Sequence, residues 1–367
     1  MTAANYPDAD YGTRVGRVRE IMGEQGVDAL LVSVGSDLPY LSGYEAMPLE
    51  RLTMGVVTPR EATLLVPQLE APRVIDRGVF EVAPWGETED PIDIVSSLLG
   101  AARRAVIGAQ TWARFLVRLQ EAMPTTEFAD ATAVMRPLRI IKDDDEIELL
   151  RQAGAAADRV VERLRGTVFV GKSEATLARE VMDMTIEEGH ETASFHIVAS
   201  GPNAASPHHE PGDRVIVSGD CVVIDFGGRL GGYCSDTTRT FHVGEPSTEF
   251  TEVFEALRTA QLAGTAAAVP GVAAQDVDRA ARRVLVDAGW GEWFIHRTGH
   301  GIGLDAHEDP YLVEGNAEIL QAGMAFSIEP GVYVAGRWGM RIEDIVVCTA
   351  GGNETLNNSP RDLAIVE

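Results

Sequence analysis

The sequence predicts an α/β domain followed by a larger α+β domain that repeats itself once, and three observations predict it. Its 367 residues exceed what one hydrophobic core ordinarily serves. Up to about residue 138, short apolar runs alternate with amphipathic helical stretches. From about residue 143, a pattern of helix, helix and strand pair runs to residue 243 and recurs between about 247 and 348. Gly171 with Arg179, and Gly271 with Arg279, fall at matching places before and within the second helix of each half. Residues 1–12 read as an N-terminal tail, 13–138 as the first domain and 139–367 as the second.

Taken in order, residues 13 to about 25 have the periodicity of a helix, and VDALLVS, LTMGVVT, TLLVP and AVIGAQ read as strands. A further helix is expected from about 112 to 123. The stretch RIIKDDDEIELL marks the boundary, because its acidic run suits the positive end of a helix dipole. Behind it, Ile147, Leu150, Ala157, Val161 and Leu164 recur at helical spacing and form one face to bury. In the second domain, GDCVVIDFGGRLGGYCSDTTRTFHV reads as an apolar strand ending at Asp225, a glycine-rich turn over 227–232 and a returning strand. GMAFSIEPGVYV puts Glu329 at the end of an apolar strand, and GMRIEDIVVC reads as the next one.

Apolar residues at 45% and charged residues at 24% describe an ordinary globular chain. A formal charge of -25 argues against nucleic acid or an anionic membrane as partner, since both require clustered lysine and arginine. The chain has neither a basic start followed by an apolar run nor an apolar stretch of about 18 residues, so the expected location is the cytoplasm. Cys221, Cys234 and Cys348 lack metal-type spacing and lie in or near apolar strands, as buried free thiols would.

The chemistry centres on FIHRTGHGIGLDAH. A lone histidine is usually a hydrogen-bonded core or surface residue, but His296, His300 and His307 concentrate three of the chain's eight histidines in one segment. Gly299, Gly301 and Gly303 make that segment a loop rather than a helix. Carboxylates also start turns and end strands, but Asp225 in an apolar strand and Glu343 between isoleucines would be costly to bury without a cation. In the returning strand Asp236 and Thr238 alternate onto one face, as Arg341 and Glu343 do downstream. Carboxylates 4 Å apart repel by about 4 kcal/mol per pair at an effective dielectric near 20. If Asp225, Asp236, Glu329 and Glu343 converge, two divalent cations with His300 as the single imidazole balance them, and oxygen-rich donors favour manganese over cobalt, zinc or iron.

The order Asp225, Asp236, His300, Glu329, Glu343, with HxxGHGIGLxxHE and RIED around the last ligands, resembles the pita-bread metallopeptidases, which include aminopeptidase P, prolidase and methionine aminopeptidase. YLSGYEAMPLERL resembles their creatinase-type N-terminal domain, which points to the Xaa-Pro branch. The resemblance implies a creatinase-type α/β domain, an α+β pita-bread catalytic domain with a pseudo-two-fold repeat, and a homodimer. It implies a dinuclear-metal peptidase that cuts the Xaa-Pro bond of dipeptides or short proline-containing peptides with a metal-bridging hydroxide. Glu329 would also shuttle a proton, His307 and His208 would stabilise the oxyanion, and His296 would contact substrate. His209, beside His208 in SPHHEP, has no such counterpart. Arg341 and Thr238 would hold the ligands in place. Prolidases carry an arginine shortly after the HE pair to grip a dipeptide's carboxylate, whereas HEDPYLVE has Tyr311 there. Dipeptidase and aminopeptidase stay open at this point. The alternatives are a metal-independent creatinase-like amidinohydrolase, a lyase, or a non-catalytic binding protein on the same scaffold.

Overall fold

The computed structural model describes residues 9–367. The chain divides into two compact units, the first ending at Arg139 and the second spanning Ile140–Glu367. The tail assigned to residues 1–12 lies outside the described residues up to residue 8, and beyond that it is shorter than expected. Helix α1 (Tyr11–Gln25) starts two residues early because Asp10 caps it: the Asp10 carboxylate accepts the Thr13 N–H at 2.9 Å and the Thr13 hydroxyl at 2.6 Å.

In the first unit, strands β1 (Ala29–Val32), β2 (Met54–Val57), β3 (Ala62–Pro67), β4 (Glu81–Trp85), β5 (Arg104–Ile107) and β6 (Glu127–Asp130) form one sheet in the order β4-β3-β2-β1-β5-β6. Strand β2 is antiparallel to β1 and β3, and the other pairs are parallel. Helices α2 (Asp37–Ser42), α3 (Pro91–Leu99), α4 (Ala113–Ala122) and α5 (Thr132–Arg139) complete the unit. Strands β1 to β3 are buried at every position, which is why they read as unbroken apolar runs rather than as alternation.

The second unit opens with α6 (Asp144–Arg165), where Asp143 and Glu146 close a reciprocal capping box and so explain the acidic run. Next come α7 (Glu174–Glu187), β7 (Thr192–Ser200), β8 (Cys221–Leu230), β9 (Tyr233–Cys234) and β10 (Thr237–Val243). The second half holds α8 (Thr248–Ala267), α9 (Ala274–Asp287), β11 (Gly299–Gly301), β12 (Glu308–Leu312), β13 (Ala325–Ile328), β14 (Gly331–Val334), β15 (Trp338–Arg341) and β16 (Asp344–Thr349). Strands β17 (Gly352–Thr355) and β18 (Ala364–Val366) end the chain. One sheet runs β18-β10-β8-β7 with β9 on β8, another runs β12-β11-β13-β16-β17, and β14 pairs with β15.

The repeat extends to single hydrogen bonds. Gly171 and Gly271 both adopt the left-handed conformation, at φ 84° and 89°. Their N–H groups donate to Ile216 and Leu320, whose own N–H groups return to Lys172 and Val272. Each half therefore launches its second helix from the same small bridge. No helix among the described residues is long and apolar enough to cross a membrane.

Three local expectations are corrected, two of them by what glycine does here. Strand β8 does not end at Asp225 but continues through Gly227 and Gly228 to Leu230. A Cβ at those positions would lie 2.1 Å from the Ser235 carbonyl and 2.3 Å from the Thr192 carbonyl, so the glycines mark close backbone approach, and the turn sits at Gly231 and Gly232. Likewise the histidine segment is not all loop: Gly299 and Gly301 flank His300 in β11, where a Cβ would meet Ser327 and Asp309 carbonyls at 1.9 and 2.2 Å. Finally, GMRIEDIVVC is not one strand. It breaks at Ile342 and Glu343, whose N–H groups leave the ladders for the carbonyls of Pro330 and Thr238, so that β15 and β16 belong to different sheets.

Candidate metal centre

The residues singled out from the sequence come from both halves. Asp225 lies mid-strand in β8 between Ile197 of β7 and Thr238 of β10, and Asp236 immediately precedes β10 rather than lying within it. His300 occupies the centre of β11, Glu329 follows β13, and Glu343 sits in the break between β15 and β16. Their ligand atoms form three overlapping groups, each within 4.8 Å: Asp225, Asp236 and Glu343; His300, Glu329 and Glu343; Asp236, His300 and His307. His307 thus joins the cluster as a possible sixth donor.

The cluster holds more negative than positive charge. Burial first, and then Glu343, Asp225 and Glu329, push Asp236 well above the usual carboxylate range. Burial followed by Glu329 and Asp225 does the same to Glu343. Burial lifts Glu329 to about 7. Burial, then the neighbouring His307, holds His300 down to about 3, so its ring is neutral. His300 Nδ1 faces the Gly301 carbonyl at 3.1 Å and must donate to it, which leaves the Nε2 lone pair pointing at Glu329 Oε1, 3.2 Å away, and Asp236 Oδ2, 3.6 Å away. Acceptors that face each other this closely require a proton or a metal between them. Asp225 Oδ1 is buried without a hydrogen-bond partner, and its other oxygen is taken by Arg341. Four carboxylates against one guanidinium, with an orphaned oxygen and an aimed imidazole, fit a pair of divalent cations.

Around this cluster the side chains form a fixed frame. The Thr238 hydroxyl donates to Glu343 at 2.7 Å and accepts from Arg341 Nε at 3.0 Å. The Ser327 hydroxyl donates to Glu329 at 3.1 Å and accepts the His300 N–H. Arg341 Nη1 donates to the Tyr333 oxygen, so the Tyr333 hydroxyl hydrogen goes to His296 Nε2 at 2.9 Å, while His296 Nδ1–H donates to the Arg297 carbonyl at 2.7 Å. Both ring nitrogens of His296 are therefore hydrogen-bonded within the protein. His307 is exposed, its ring 3.9 Å from that of His300, and His208 is exposed on the loop after β7, near enough for its charge to act on His296 and His307.

Sequence reasoning missed Tyr333, Ser327, Glu174 and His209. Tyr333 and Ser327 alternate with core residues in strands and carry no signal of their own. Glu174 looks like an ordinary acidic first-turn residue of a helix, yet it is fully buried and accepts from His209 Nε2 at 2.7 Å.

A buried site of carboxylates and imidazoles, supplied by two related halves of the second unit in a chain that also carries an α/β unit, defines a two-domain metallohydrolase. Residues 148–350 match metallopeptidase family M24, and residues 14–141 match the creatinase/prolidase N-terminal domain. The chain belongs to metallopeptidase family M24, with the pita-bread architecture and a creatinase-type N-terminal domain. Among its relatives, the probable dipeptidase PepE of Mycobacterium tuberculosis is 43% identical over 363 residues, covering 97% of this chain and 96% of that one. The dipeptidase PepE structure from Mycobacterium ulcerans superposes with a TM-score of 0.91 at 43% identity, over 97% of this chain and 98% of the other. The prolidase structure from Thermococcus sibiricus gives 0.93 at 36% identity, over 98% and 100%.

Proposed function

We propose that this metallopeptidase hydrolyses the Xaa-Pro bond at the N-terminus of dipeptides or short peptides, using two divalent cations held by Asp225, Asp236, His300, Glu329 and Glu343. The observation that carries the reading is the His300 lone pair aimed at Glu329 across 3.2 Å, beside an unpartnered Asp225 oxygen. Relatives described as dipeptidases and a prolidase support the substrate class. The oxygen-dominated donor set favours manganese, with cobalt, zinc and iron as poorer matches. Bound there, the cations would supply a water that is nucleophilic near neutral pH and would polarise the scissile carbonyl.

The chain's own groups complete the chemistry. Glu329 would hold a cation and also pass a proton to the leaving proline nitrogen. The exposed imidazoles of His307 and His208 are disposed to donate hydrogen bonds to the developing oxyanion. Arg341 and Thr238 orient Asp225 and Glu343. A homodimer working in the cytoplasm completes the reading, in keeping with three buried free thiols. A metal-independent amidinohydrolase or a binding protein would have no use for so costly a concentration of buried carboxylates.

The test is purified protein with added Mn²⁺, offered Ala-Pro, Ala-Pro-Ala and Ala-Ala-Ala. Cleavage of the proline-containing peptides alone, lost on chelation, is the expected result. Cleavage of Ala-Ala-Ala at an equal rate, or activity indifferent to chelator, overturns the reading.

A further inference from the structure

Of the chain's 31 basic residues only Lys142 and Lys172 are lysines, and they sit very differently. Lys172 reaches Glu180 in a partly exposed pair. Lys142, the third residue of the second unit, has a side chain only 1% exposed, and its ammonium donates to Glu308 Oε1 at 2.6 Å; the Glu308 side chain is 11% exposed. Removing one partner of such a pair strands the other charge inside the protein, so the two side chains hold each other in one geometry.

Both ends of the pair are fixed. The Lys142 N–H donates to the Gly323 carbonyl at 2.9 Å, and the Gly323 N–H donates to the Cys348 carbonyl of β16, so the lysine hangs from the second half's sheet. Gly303 closes the pair in: a Cβ there would lie 2.6 Å from Glu308 Oε1 and 3.2 Å from Lys142 Cε. A compact ammonium fits that space, where the broader guanidinium used almost everywhere else in the chain would need more room. Glu308 in turn opens β12 and pairs across the ladder with Gly301 of β11, the neighbour of His300.

The residue before Glu308 is His307, whose ring lies 3.9 Å from that of His300 and whose donor atom groups with those of Asp236 and His300. His307 is exposed and makes no hydrogen bond of its own among the described residues, so its restraint comes through the chain, from Glu308. We infer that Lys142 is a positioning residue: through Glu308 it sets where the His307 imidazole stands beside His300. Its effect on turnover, though not the placement itself, rests on the peptidase reading above. Misplacing a group at the reacting centre by about 1 Å can cost about 100-fold in rate, so such a restraint is worth measuring.

The experiment compares the wild type with Lys142→Met, with the double variant Lys142→Met/Glu308→Gln, and with Lys142→Met placed in a His307→Ala background. Urea unfolding and kinetics on Ala-Pro with Mn²⁺ are recorded for each, together with the His307 ring signal by NMR in the chelator-stripped protein, identified by its loss in His307→Ala. Lys142→Met should be less stable, with kcat lowered about 30-fold at nearly constant KM and the ring signal moved and broadened. The double variant strands no charge and should regain stability, but neither kcat nor the wild-type ring signal. If Lys142→Met does not fold, the double variant carries the comparison. In the His307→Ala background, Lys142→Met should bring no further loss of kcat. Recovery of kcat together with stability in the double variant, an equal loss of kcat with and without His307, or an unmoved ring signal overturns the inference. A wild type that cleaves no Ala-Pro removes the peptidase reading instead, and the ring signal still decides whether Lys142 places His307.

Discussion

In the first half of the catalytic unit a fully buried glutamate fastens a histidine-bearing loop; in the second half a fully buried aspartate does so, from a different place. Glu174, the first residue of α7, accepts from the Ser200 N–H and hydroxyl, the Asn203 amide, His209 Nε2 and the Gly212 N–H, tying down the loop that carries His208. Asp278, four residues into α9, accepts from the Thr298 N–H at 3.0 Å and hydroxyl at 2.8 Å and pairs with Arg282, which steadies the segment carrying His296 and His300. The counterpart of Glu174 is Ala274, and that of Asp278 is Ala178. A shift of four residues is about one helical turn and keeps the same face. The repeat thus fixes where an anchor must act and leaves open which residue supplies it.

The comparison can be broken most severely at the cluster where the halves meet. Glu329→Ala should lower kcat by more than about 1000-fold, since it removes both a ligand and the proton carrier, while circular dichroism reports an intact fold. Substantial activity in that variant would mean that the second half's carboxylates are scaffolding. Next come the two anchors. Glu174→Ala leaves several buried donors without an acceptor and should cost about 3 kcal/mol in urea unfolding; Asp278→Ala, with fewer donors orphaned, should cost about 2 kcal/mol. A reversed order would show that hydrogen-bond number does not set the strength of these anchors.

A pH titration sharpens the first of these. Burial pushes Glu174 up, but the donors from Ser200, His209 and Asn203 outweigh it and hold its pKa below the ordinary 4.5. A depressed folded-state value means that the unfolded chain binds more protons, so this contribution is complete above the unfolded value and is lost as pH falls through the folded one. The wild type should therefore lose stability on acidification below about pH 4.5 more steeply than Glu174→Gln, and parallel curves would contradict the assignment. The smallest effect is expected at Tyr333→Phe. Without the hydroxyl between His296 and Arg341, kcat should fall by about tenfold with metal content retained, whereas loss of metal would make Tyr333 part of the binding frame itself.

Much of the site was legible because its cost shows in one dimension. Asp225 inside an apolar strand and Glu343 between isoleucines are anomalies of local pattern, and burying them is what demands a partner. The start of α6 and the bridge that launches α7 and α9 were legible for a similar reason, since capping acids and left-handed glycines act within a few residues. What was not legible depends on neighbours distant in sequence. Gly227, Gly228, Gly299 and Gly301 look like loop residues until another strand's carbonyls are found where their Cβ atoms would be. The hydrogen bond between His296 and Tyr333 joins residues 37 positions apart and has no local signal. Glu174 looks like a helix-dipole residue until five donors from the 200–212 loop converge on it.

The central claim is that Asp225, Asp236, His300, Glu329 and Glu343 together hold two divalent cations. Calorimetric titration of the chelator-stripped protein with Mn²⁺ tests it most directly, run in parallel on Glu343→Ala, because Glu343 belongs to both carboxylate groups. Two equivalents per chain are expected for the wild type and no more than one for the variant. No binding by the wild type, or an undiminished two equivalents in Glu343→Ala, would contradict it.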